Sequence, residues 1–133
     1  MSARKNFLDD IPGKRIEGEQ FDRIFNEIYK SENPQNLEPF DRFCELVELT
    51  LEEIVARLRE DYREEYYFAY TKLNNSKWNR LYIMNKTELI QYIEFCFDYV
   101  FGGLDITVAD MTYQALFIGN HDGMLFKIPE SEL

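Results

Sequence analysis

The apolar residues of this chain change their period near Tyr62, and that change limits the folds open to it. Before it, Phe40, Cys44, Val47, Leu51, Ile54 and Leu58 recur in alternating steps of four and three, the spacing of a buried helix face. After it, YYFAYTK (66–72) and NRLYIMN (79–85) concentrate aromatic and branched side chains in short runs, as strands do. Helical and extended segments therefore come in blocks, not in strict alternation, and the chain is expected to be α+β.

The flanking segments extend this reading. Phe21, Ile24, Phe25 and Ile28 place a first helix over 17–29, broken by SENPQN with Pro34. The seam named above predicts a long second helix over 37–62. LNNSKW (73–78) supplies the turn of a hairpin between the two aromatic strands. Asn85 followed by Glu88 has the spacing of a reciprocal helix cap, so a third helix is expected over 87–101, closed by Gly102 and Gly103. LDITVAD, YQALFIG and MLFKI then read as three strands, with Asp110 starting the turn between the first two and GNHDG as a hairpin loop. The expected order is α-α-β-β-α-β-β-β: about three helices and a mainly antiparallel sheet of about five strands, with the helices on one face. Residues 17–133 are read as a single domain and residues 1–16 as a flexible N-terminal arm.

Eleven Phe, nine Tyr and one Trp give such a domain enough area to bury without covalent staples. Cys44 and Cys96 both fall in helical apolar patterns and read as buried free thiols of a reducing compartment; a Cys44–Cys96 disulfide is the alternative if those helices touch. The N-terminus has no secretory pattern and no run approaches the ~20 apolar residues of a membrane span, so a soluble cytoplasmic protein is expected.

Charge narrows the partners. The net charge of −10 is unevenly spread: +2 over 1–16, −9 over 17–65 and −3 over 66–133. Such a field repels nucleic acid and membrane surfaces and attracts a basic protein. On the expected second helix, Glu38, Asp41, Glu45, Glu48 and Glu52 form a stripe of like charge, and Glu45, Glu48 and Glu52 are the expected steering residues. Tyr66, Tyr67 and Trp78 are the expected aromatic anchors, since Tyr and Trp dominate interface hot spots.

His121, in NHD, is the chain's single histidine. Imidazole can act as a general base or a metal ligand near neutral pH. A nucleophile signature of the G-x-S-x-G type is lacking, as are the further His or Cys ligands that zinc needs. His121 and Asp122 are therefore read as a hairpin tip that touches a partner, with no catalytic residue, metal or cofactor. A small enzyme or metal-dependent protein centred on His121 is the alternative.

The run WNRLYIMNKTELIQYIEFCFDY, followed by LDITVAD and LFIGNHDGMLF, resembles a family of small uncharacterised bacterial proteins. In its general character, a small acidic stand-alone α+β domain, the chain is similar to bacterial immunity proteins that neutralise toxins. That likeness implies a non-catalytic inhibitor of a basic toxin, such as a nuclease, and assigns no site residue.

Overall fold

The computed structural model describes residues 11–32, 47–72, 75–98, 104–119 and 125–127. Within them lie β1 (Lys14–Arg15), α1 (Glu19–Glu32), β2 (Val47–Leu49), α2 (Leu51–Glu60), β3 (Glu65–Lys72), β4 (Asn75–Asn85), α3 (Lys86–Asp98), β5 (Leu104–Ala109), β6 (Ala115–Gly119) and β7 (Leu125–Lys127). The fold is α+β. The five strands expected from the sequence are β3 to β7, and their pairings are all antiparallel. Two short strands are added at the edges, giving the order β1-β4-β3-β5-β6-β7-β2.

Alternation of side chains along the central strands builds two cores. Tyr66, Phe68 and Tyr70 of β3, Tyr82 and Met84 of β4, and Ile106 and Val108 of β5 meet α2 and α3 through Ile54, Val55, Leu58, Leu89, Ile90, Tyr92 and Ile93. The intervening residues Tyr67, Ala69, Leu81 and Ala109 face the other way and pack with Ile16 and with Ile24 and Ile28 of α1. Helices therefore cover both faces of the sheet, not one. Small side chains at Ala69 and Ala109 let α1 lie close to the strands. Its 14 residues span about 21 Å, enough to cross from β4 to β6, both of which it contacts. The expected buried face of this helix is present: Ile24 and Ile28 are buried, and Phe21 and Phe25 stack at 5.0 Å beside them.

The second helix differs from expectation. Val47–Leu49 is an edge strand paired with β7, and the helix begins only at Leu51. Thr50 is the reason. Its side chain accepts from the Glu53 amide at 3.2 Å while Glu53 Oε1 accepts from the Thr50 amide at 3.0 Å, a reciprocal cap that fixes the start. The same device starts α3 as expected, with the Asn85 amide donating to Glu88 at 3.0 Å and the Glu88 amide donating to Asn85 Oδ1 at 2.8 Å.

Two further boundaries shift. The β3–β4 hairpin is tighter than a six-residue loop, because β4 already begins at Asn75. Residues 11–16 belong to the domain instead of to an arm: β1 pairs with Tyr82 and Ile83, and Ile16 is buried. Gly13 makes that entry feasible. It sits at φ +91°, and a Cβ there would lie 2.2 Å from the Ile83 carbonyl oxygen. Residues 1–10, Cys44 and the Cys96 side chain lie outside the described residues, so the thiol expectations do too.

Candidate partner-binding end

Three connections meet at one end of the sheet: the α2–β3 loop, the β4–α3 junction and the β5–β6 turn. Arg63 ties them together. Its guanidinium donates to Asp61 at 2.9 and 3.1 Å and stands 3.6 Å from Asp110 Oδ2. Asp61 also accepts from the Tyr66 hydroxyl at 2.9 Å, and that hydroxyl reaches the Arg63 carbonyl at 3.1 Å. Lys86 Nζ donates to the Asp61 carbonyl oxygen and pairs with Glu64 at 3.4 Å.

Asp110 organises the turn beside this network. Its Oδ1 accepts from the Thr112 amide at 2.8 Å, the Thr112 hydroxyl at 2.6 Å and the Gln114 amide at 3.0 Å. The expectation that Asp110 starts this turn therefore holds. Tyr113 follows at φ +72°; its ring lies against Tyr67 at 5.6 Å, and its hydroxyl accepts from Arg23 of α1.

The electrostatics follow from this geometry. Burial alone would raise the Asp61 carboxyl, but hydrogen bonds from Tyr66 and from the Arg63 amide and guanidinium outweigh it, and the group lies below the usual carboxylate range. Burial works to lower the Arg63 guanidinium, and the Asp61 contact overrides it upward. The Tyr66 phenol is pushed far up, first by burial and then by the Asp61 carboxylate. The phenol, the carboxylate and the guanidinium thus hold one another across the three connections. The arrangement is a brace.

What the brace presents is a surface. Tyr62 is 82% exposed, yet its ring is held, with the Arg63 guanidinium 4.6 Å from its centroid. Met111, next to Asp110, is 38% exposed. Because Arg63 touches both the Tyr62 ring and Asp110, these two apolar side chains belong to the same end. Exposed carboxylates Glu60, Glu64 and Glu65 flank Tyr62 in sequence. This end therefore presents an exposed aromatic and an exposed methionine beside both acidic and basic side chains.

The expected site residues fall elsewhere. Tyr66 is fully buried and Tyr67 is 7% exposed, so neither ring is available to a partner, which corrects their assignment as anchors. Each instead supports the end from inside, Tyr66 through Asp61 and Tyr67 through Tyr113. Glu48 lies in β2, opposite Phe126, and Glu52 lies on the first turn of α2, so the acidic stripe on one continuous helix does not form. Glu52 is exposed. Trp78 lies in β4, with its side chain outside the described residues, as is that of Glu48. Glu45, His121 and Asp122 lie outside them altogether; β6 and β7, which flank His121 and Asp122, pair antiparallel as expected of that hairpin.

Sequence reading missed Tyr62, Arg63 and Met111. The available signal was DYREE: a tyrosine between opposite charges, placed where the apolar period changes and no buried face claims it. Among the described residues there is no group of three or more His, Cys, Asp or Glu that could hold a metal ion, and no helix is long and apolar enough to cross a membrane.

In comparisons with known proteins, no family model, no curated protein and no solved structure matches this chain.

Proposed function

We propose that this protein is a non-catalytic binding protein that covers a basic partner, most concretely an immunity-type inhibitor of a bacterial toxin such as a nuclease. The observation that carries this reading is Tyr62, exposed yet stacked on an arginine that two carboxylates hold in place. An exposed aromatic normally loses rotamer freedom on binding; one already ordered forfeits less. The net charge of −10 adds steering toward a cationic surface. Nuclease sites are cationic because they bind phosphates, so an acidic cover imitates the charge of the substrate.

The test is affinity capture from the native organism's extract, washed at low and then high salt, followed by an assay of the captured protein's own activity with and without added inhibitor. The reading expects one basic protein, released by salt, whose activity falls on rebinding. Recovery of acidic proteins alone, or a basic protein whose activity is untouched, would overturn it.

A further inference from the structure

We infer that the outer edge of β2 is a docking site for an extended, basic segment of a protein partner, which adds to the sheet as a further strand. β2 (Val47–Leu49) stands last in the strand order, and among the described residues its only strand partner is β7. Such an edge offers a row of backbone donors and acceptors to an incoming chain. Three residues make about 10 Å of it. The strand is already held in place: Leu49 is buried in the core, and the Thr50 cap fixes the helix that follows. A segment docking there therefore loses little free energy in ordering β2 itself.

The residues of β2 define the segment that fits. Strand alternation sets Val47 and Leu49 on one side, the side of the core shared with α2 and α3. Leu49 is 5% exposed, whereas Val47 is 55% exposed. An added strand with an apolar residue across from Val47 would cover it. Glu48 holds the middle position, and the first turn of α2 adds the exposed Glu52 and Glu53. Between Arg42 and Arg57 the sequence has Glu45, Glu48, Glu52 and Glu53 and no Lys or Arg. Lys127 of β7 lies on the far side of β2 from an incoming strand. Cross-strand pairing thus favours a base at the register position opposite Glu48 and disfavours an acid. The complement of Val-Glu-Leu is an apolar–basic–apolar segment.

A second copy of the chain fits this edge poorly. Antiparallel pairing of two β2 strands about their centre sets Glu48 against Glu48. The strand at the opposite edge, β1, is only Lys14–Arg15, two bases with no apolar residue for Val47. The docking mode belongs to the basic partner proposed above, and it rests on that reading for the existence of such a partner.

The experiment follows ¹H–¹⁵N spectra and amide hydrogen exchange of the full chain with short synthetic peptides. One alternates valine and lysine, one alternates valine and glutamate, and one is the lysine peptide N-methylated throughout, which has no amide to donate to a ladder. Saturable shifts centred on Val47–Leu49, with slower exchange of the outward amides there, are expected with the lysine peptide. The glutamate peptide is expected to bind about tenfold more weakly, and the N-methylated peptide not to bind at β2. Glu48→Lys combined with Glu52→Lys is expected to invert the preference between the first two peptides. Equal binding of those two by the unaltered chain, undiminished binding of the N-methylated peptide, or shifts centred away from β2 overturn the proposal. Protection of all three β2 amides in the free chain, or self-association that Glu48→Lys abolishes, shows the edge already filled and overturns it too. Because the probes are synthetic, failure here strikes the β2 edge alone, whereas failure to capture a basic protein strikes the inhibitor reading.

Discussion

Arg63 and Asp110 stand 3.6 Å apart across the end of the sheet, linking the loop that leads into β3 with the turn that leaves β5. Both are largely buried, with side-chain exposures of 24% and 12%. Arg63 also holds Asp61 on its other side, so one guanidinium neutralises two carboxylates that would otherwise repel each other in a partly dry setting. The exposed Tyr62 ring rests on the same group.

Arg63→Gln is therefore expected to do more than remove one surface charge. It removes the cation between Asp61 and Asp110, which keep only their hydrogen bonds from Tyr66, the residue-63 amide, Thr112 and Gln114, and it releases the Tyr62 ring. Removing one partner of a buried pair costs 3–5 kcal/mol, and discounting for the partial exposure here gives about 2 kcal/mol. Urea denaturation measures it. Arg57→Gln, at an exposed site on α2, is expected to change stability by less than about 0.5 kcal/mol.

Asp61 sets the acid limb of stability. Its carboxyl is depressed in the folded state, so its contribution is present above the unfolded value, about 3.9, and is lost as pH falls through the folded value. Tyr66→Phe removes one of the hydrogen bonds that depress it. That variant is expected to lose about 1.5 kcal/mol at neutral pH, with a difference from the unaltered chain that shrinks as Asp61 protonates. Denaturation midpoints between pH 2 and pH 7 would show it, on the scale set by ordinary carboxyl titration.

The alkaline limb has the opposite sign. Burial raises Tyr66, Tyr67, Tyr70 and Tyr82 in the folded state. A raised group contributes stability that is present below its unfolded value, about 10, and is lost as pH rises through the folded one. Stability is thus expected to fall above about pH 10, with phenolate absorbance from the buried set appearing together with the loss of structure. Complete phenolate formation with no loss of structure would contradict this burial pattern.

Much of the fold was legible because local rules and tertiary packing agree. The spacing of Ile24 and Ile28, the reciprocal cap of Asn85 and Glu88, and the Asp110 turn were each written in a few neighbouring residues. The second helix was misread because Val47 fits a helical seam as well as an edge strand, while the decisive signal, Thr50 followed by Glu53, lay inside the run. The second sheet face was missed because Ala69 and Ala109 carry too little side chain to announce a buried surface.

The candidate site was the least legible part. Tyr66 and Tyr67 look like anchors in a sequence, yet strand alternation sends them into opposite cores. The Arg63–Asp110 pair depends on β5 lying beside β3, and no local pattern encodes that adjacency. Tyr62 is distinguished by what it does not do, since it takes no place in either core.

In the proposed complex, Tyr62 anchors the basic partner. The measurement that tests it most directly is the dissociation constant of the captured basic protein for the unaltered chain, for Tyr62→Ala and for Tyr29→Ala. Tyr29 is the matched control, 57% exposed on α1 and on the opposite face of the sheet from α2. The expected result is a loss of roughly thirtyfold for Tyr62→Ala, the scale of an interface hot spot, with Tyr29→Ala within about twofold. Equal affinity for Tyr62→Ala and the unaltered chain, or a loss confined to Tyr29→Ala, would contradict it.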